Sequence, residues 1–103
     1  MKVVNKNEFE TITRNGYALV DFYADWCGPC RALGPVLEEL SKEYPNVSFI
    51  KVNVDEEEEL AMRYRIMSIP AVFILKDGEV VESVVGARPK DAMKAVIDSA
   101  LRK

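Results

Sequence analysis

An apolar run, Ala18-Leu19-Val20-Asp21-Phe22-Tyr23, leads almost directly into Trp26-Cys27-Gly28-Pro29-Cys30, which holds both cysteines of the chain. The run shows no polar alternation, so it reads as a strand buried on both faces. After the cysteines, Leu33, Val36, Leu37, Leu40 and Tyr44 recur at helical spacing and predict a helix over residues 29–44. Pro29 suits its first turn, where a missing N–H costs nothing. Gly34-Pro35 falls inside the pattern and predicts a bend, because Pro35 removes one backbone bond and crowds the preceding turn.

Turn signals divide the rest of the chain into alternating strand and helix patterns. Val3-Val4 reads as a short edge strand, and Asn7 as the cap of a helix through about Arg14 that ends at Asn15-Gly16. Residues 47–54 read as a strand, and Asp55 with Glu58 has the spacing of a capping box for a helix through about Tyr64. The acidic run from Glu56 to Glu59 suits a solvated helix start better than a metal site. Residues 71–76 and 79–85 flank Asp77-Gly78, a strong hairpin signal. A last helix follows Pro89 and Asp91, with Met93, Val96, Ile97, Ala100 and Leu101 on one face. This order points to an α/β or α+β sandwich, not a bundle or an all-β barrel.

At 103 residues the chain fits one domain, residues 1–103, with a single apolar core. Its net charge of -3 with scattered basic residues argues against a nucleic-acid binder. The longest apolar runs fall far short of a membrane span, and the polar start Met1-Lys2-Val3-Val4-Asn5 has no signal-peptide core, so a cytoplasmic location is expected. In a reducing cytosol the two cysteines would rest as thiols, and an oxidised form would be transient and functional. As a structural staple, a disulfide across so short a loop would contribute little. A structural zinc site is disfavoured because it usually takes four Cys or His ligands, and the chain has two Cys and no His.

The residues at this point carry a resemblance. Asp21-Phe22, Ala24-Asp25-Trp26-Cys27-Gly28-Pro29-Cys30, Pro35, Lys51-Val52-Asn53-Val54-Asp55, Ile69-Pro70, Asp77-Gly78 and Val85-Gly86 stand in the order of the thioredoxin family, which the chain resembles over essentially its whole length. The resemblance implies an α/β fold, the thioredoxin fold: a central mixed sheet of about five strands flanked by about four helices, with a βαβ half followed by a ββα half. It also implies a cis Ile69-Pro70 bond beside the dithiol. The activity implied is that of a protein-disulfide reductase, a general thiol-disulfide oxidoreductase and electron donor.

Cys27 is expected at the amino end of the long helix, where unpaired N–H groups and the helix dipole favour a thiolate. Cys30, one turn inward, is expected to be the more buried and less acidic thiol. These positions assign Cys27 as the nucleophile that forms a mixed disulfide and Cys30 as the residue that resolves it. Asp21, a carboxylate in an apolar strand, is expected to have a raised pKa and to accept the Cys30 proton. Lys51 is its expected basic modulator. Trp26, Gly28, Pro29, Met67, Ile69, Pro70, Gly86 and Ala87 are expected to form an apolar surface on which an extended substrate chain pairs with the backbone beside Pro70. Asp25 and Arg31 beside the motif read chiefly as solvated charges. Tyr23 in place of a frequent Trp, Ser68 in place of a frequent Gly, and Gly34 before Pro35 depart from the commonest pattern and bear on partner preference and redox poise.

Three rivals remain at this point: a glutaredoxin-like or oxidase-like member of the same fold, a zinc module built across subunits, and a non-catalytic interaction protein. Gly28-Pro29 between the cysteines favours the reducing type. No bound cofactor or metal is expected beyond the Cys27-Cys30 disulfide and dithiol themselves. The chain has no G-x-G-x-x-G fingerprint, so electrons must come from a partner, a thioredoxin reductase that is either flavin- or ferredoxin-dependent. Disulfide-containing client proteins are the other expected partners, and a monomer is expected.

Overall fold

The structure, a computed structural model, describes residues 1–103. Its elements run β1 (Lys2–Val3), α1 (Lys6–Thr13), β2 (Tyr17–Tyr23), α2 (Gly28–Ser41), β3 (Val47–Asn53), α3 (Glu58–Arg63), β4 (Ala71–Lys76), β5 (Glu79–Val85) and α4 (Lys90–Ala100). The strands form one sheet in the order β1-β3-β2-β4-β5. β1, β3 and β2 are parallel, while β4 runs antiparallel to β2 and β5 antiparallel to β4. The expected mixed sheet, with a βαβ half and then a ββα half, is therefore what forms.

β2 lies at the centre and explains the rest of the packing. Alternate side chains of a strand point to opposite faces, and here both faces are covered. Leu19 joins Leu33, Leu37, Leu40, Met93 and Ile97 in a core between the sheet and helices α2 and α4. Val20 and Phe22 join Phe9, Ile50, Val52 and Leu60 in a second core on the α1 and α3 side. Fully burying one such side chain contributes about 1.5–3 kcal/mol, so an apolar strand of this kind is stable only as the middle layer. The Asp77-Gly78 hairpin also forms as expected. Lys76 pairs with Glu79, and the two turn residues have φ of 51° and 87°, the left-handed values that such a tight turn needs and that Asp and Gly tolerate.

Local details correct several expected boundaries. The cap of α1 is Asn5, not Asn7: the Asn5 side chain accepts from the Glu8 N–H at 2.9 Å, and the Glu8 carboxylate accepts from the Asn5 N–H at 3.0 Å. Removing such a cap costs about 1 kcal/mol, so Asn5→Ala should lower the thermal midpoint by roughly 4–8 °C in a domain of this size. Asn7→Ala should leave the midpoint in place, and thermal denaturation of the two variants compares them directly. The short strand β1 ends at Val3, one residue earlier than expected, while Val4 is buried.

Helix α2 ends at Ser41 rather than Tyr44. Tyr44 precedes Pro45, whose ring disfavours helical backbone at the residue before it, yet Tyr44 stays buried and its hydroxyl donates to Asp98 at 2.6 Å. Pro35 sits within α2, which continues on both sides of it. The Asp55 capping box does not form: α3 starts after Glu57 with no side-chain cap. Asn53 instead accepts from the Asp55 N–H at 2.9 Å and the Glu56 N–H at 3.3 Å.

Candidate functional site

The site forms where β2 ends and α2 begins. Cys27 is the N-cap of α2, with extended backbone (φ -89°, ψ 111°), and its Sγ accepts from the Cys30 N–H at 3.2 Å. A sulfur thus stands where a Ser, Asp or Asn oxygen usually caps a helix. Gly28 and Pro29 fill the first turn, and Pro29 needs no hydrogen-bond acceptor there. Cys27 and Cys30 are joined as a disulfide, their Cα atoms 5.2 Å apart.

Burial does not divide the two sulfurs as expected. Cys27 is 4% exposed and Cys30 is 5% exposed, because in the oxidised pair each covers the other against Ala24, Tyr23, Val54 and Ile69. What separates them is position. Only Cys27 receives a helix N–H on its sulfur, and only Cys30 lines a cleft of about 420 Å³ bounded also by Tyr23, Arg31, Pro35 and Lys51.

Asp21 and Lys51 are register partners on the adjacent strands β2 and β3, so they share the sheet face covered by α2. Asp21 is 1% exposed, and neither carboxylate oxygen has a hydrogen-bond partner. Burial pushes its pKa from 3.8 up to about 6, with the positive charge of Lys51 acting in the opposite direction. The expected buried acid and its basic neighbour are thus brought together. Asp25 and Arg31 are exposed, and the Arg31 guanidinium donates to the Asp25 carbonyl at 2.8 Å.

Around the disulfide the surface is apolar but uneven. Trp26 is 70% exposed, and its indole N–H donates to Asp55 at 2.9 Å. That bond engages Asp55, which stands two residues before the α3 N-cap Glu57, and it makes Asp55 a site residue that local spacing concealed. Met67 is 94% exposed and separates two shallow hollows, one against Trp26, Val54 and Ile69, the other against Phe73 and Val85. The Ile69-Pro70 bond is cis. Pro70 itself is buried, so it shapes the surface from beneath. Its carbonyl accepts from the Gly86 N–H at 2.8 Å, where Gly86 holds φ 93°. Gly28, Pro29 and Ala87 are exposed, and Ala87 borders neither hollow.

A family model described as Thioredoxin matches residues 1–99. The chain belongs to the thioredoxin family. A thioredoxin of Bacillus subtilis (strain 168) is 47% identical over 94 residues, 90% of each chain. One of Staphylococcus epidermidis is 43% identical over 99 residues, 95% of each chain. Among solved structures, a Plasmodium falciparum thioredoxin superposes with a TM-score of 0.89 at 40% identity, covering 95% of this chain and 97% of that one. The oxidised mitochondrial thioredoxin 3 of Saccharomyces cerevisiae gives 0.82 at 36% identity, covering 95% and 93%. The fold is the thioredoxin fold, and the activity of this thioredoxin-family chain is thiol-disulfide exchange at the Cys27-Cys30 pair.

Proposed function

We propose that the chain reduces protein disulfides in the cytoplasm, with Cys27 as nucleophile, Cys30 as resolving residue and Asp21 as proton acceptor. The observation that carries the assignment is the Cys27 sulfur at the N-cap of α2, accepting the Cys30 N–H. In the reduced protein that N–H and the helix dipole stabilise a Cys27 thiolate, and no comparable donor serves the Cys30 sulfur. The Cys27 thiolate attacks one sulfur of a substrate disulfide, forms a mixed disulfide and expels a substrate thiolate. Cys30 then loses its proton to Asp21 and attacks Cys27 Sγ. The Cys27-Cys30 bond forms, the second substrate thiolate leaves, and two electrons have passed to the substrate.

Asp21 suits this work because its raised pKa lies near the operating pH and its oxygens have no competing partner. Lys51 modulates it from the adjacent strand. Substrate binding is supported by the surface: Trp26 and Met67 are exposed apolar side chains, and neither Ser68 nor Ile69 uses its N–H or C=O in a backbone hydrogen bond. An extended client segment can therefore add alongside Ser68 and Ile69, over a surface supported by Pro70 and Gly86. Electrons return to the disulfide from a thioredoxin reductase, which makes the monomeric chain a carrier between that enzyme and its clients. The test is insulin-disulfide reduction with dithiothreitol as electron source. The protein should accelerate insulin precipitation well above dithiothreitol alone, and a rate equal to that of the reductant alone would reject the proposal.

A further inference from the structure

The cation of Lys51 has no carboxylate partner within ion-pair distance, although it lies on a strand next to a buried acid. Its Nζ is held elsewhere: 4.2 Å from the centroid of the Tyr23 ring. Strand alternation explains the meeting. Asp21 and Tyr23 are two apart on β2 and so point to one face, and Lys51 is opposite Asp21 in the register. The half-buried Tyr23 ring packs against the Cys27-Cys30 cluster on one side and borders the cleft shared by Cys30 and Lys51. An ammonium within about 6 Å of an aromatic centroid is attracted to the ring face, more strongly where water is partly excluded. A lysine with four rotatable stem bonds needs such a hold to stay in one place.

We propose that Tyr23 is a positioning residue: its ring fixes the Lys51 ammonium in the cleft beside Cys30, and Lys51 from that position acts on Asp21. The inference rests on the reading of Asp21 as proton acceptor. The ring, not the hydroxyl, does the holding, so phenylalanine should replace tyrosine and an aliphatic side chain should not. Without the ring Lys51 swings toward solvent, its charge acts on Asp21 through water, and the buried carboxylate loses its one compensating cation. The other titratable and charged groups around Asp21, Lys51 and the Tyr23 ring are Asp25 in the turn after β2, Glu56 after β3, and Cys30, Arg31 and Glu38 on α2. Arg31 is bonded to the Asp25 carbonyl and Glu38 is paired with the amino terminus, while β4 places only Val72 opposite Asp21.

The test is the titration midpoint of Asp21, read by carboxyl NMR in the oxidised protein, where neither cysteine titrates. Tyr23→Phe should keep the midpoint of the unaltered protein. Tyr23→Leu should raise it by on the order of 0.5 pH unit, and Tyr23→Met serves as a second ring-less variant should leucine disturb folding. In a Lys51→Gln background, removing the ring should add no further rise, because the residue it acts through is gone. An equal rise with and without Lys51, no rise at all, a fall through better hydration of Asp21, or a phenylalanine variant that behaves like leucine would each overturn the proposal. The midpoint reports where Lys51 sits even if Asp21 transfers no proton. Loss of the Asp21 role would show separately, as an Asp21→Asn variant with unaltered turnover.

Discussion

Asp21→Asn is expected to stabilise the protein at neutral pH and to slow its reaction, two effects of one buried charge. A carboxyl whose pKa rises from 3.8 to about 6 on folding binds more protons in the folded state than in the unfolded chain between those values. Its contribution to stability is therefore fully present below pH 3.8, and it is lost as pH rises through about 6. Above that pH the ionised Asp21 costs the folded state about 3 kcal/mol. Asparagine carries no such pH dependence, although its own unpaired amide costs about 1–3 kcal/mol at every pH. The stability of the variant relative to the native protein should therefore fall by about 3 kcal/mol, enough to reverse their order, when denaturant unfolding is repeated at pH 3.5 instead of pH 8. A gap independent of pH would mean that Asp21 is not the strained carboxylate its burial indicates. On activity, losing a positioned proton acceptor should slow resolution of the mixed disulfide by on the order of 10²-fold. The native rate of resolution should show an inflection near pH 6, falling where Asp21 is protonated, and that inflection should be missing from the profile of the asparagine variant.

The second large effect divides the cysteines. Cys30→Ser keeps the attacking thiolate and its helix N–H but removes the sulfur that expels the product, so it should stop after one event with substrate covalently held on Cys27. Cys27→Ser should reduce nothing above background and hold almost no substrate, since the remaining sulfur lacks an N-cap donor. Both variants lose turnover, so turnover alone cannot tell the roles apart. Non-reducing mass spectrometry of the protein after exposure to a client disulfide can, because only the first variant should gain the mass of the substrate.

Much of this was readable in the residues because local and tertiary demands agree there. The run around Asp21 has one stable place, the centre of a covered sheet. Asp77-Gly78 supplies the two left-handed residues a tight hairpin needs, and Cys27 precedes a helix whose first turn tolerates Pro29. Elsewhere, like local signals had unlike outcomes. Asn5 and Asp55 each stand three residues before a glutamate, yet Asn5 caps a helix while Asp55 is taken by the Trp26 indole, a partner 29 positions away. Nothing in the spacing of Asp55 and Glu58 shows that partner. Asn5-x-x-Glu8, in contrast, has the spacing of a capping box and forms one, with both reciprocal bonds present. The hold of Tyr23 on Lys51 depends on the β2 and β3 register, which periodicity does not determine. The equal burial of the two sulfurs follows from the disulfide itself, since helical position alone places Cys30 deeper.

In the oxidised pair the two sulfurs are equally buried, and what separates them is the electrostatics of the α2 amino terminus. The most direct measurement is alkylation of the fully reduced protein with iodoacetamide across pH, each cysteine followed separately by mass spectrometry. Cys27 should react first, with a midpoint clearly below the free-thiol value of about 8.5, while Cys30 stays unmodified until much higher pH. Equal midpoints for the two thiols, or earlier modification of Cys30, would contradict the assignment of Cys27 as the attacking sulfur.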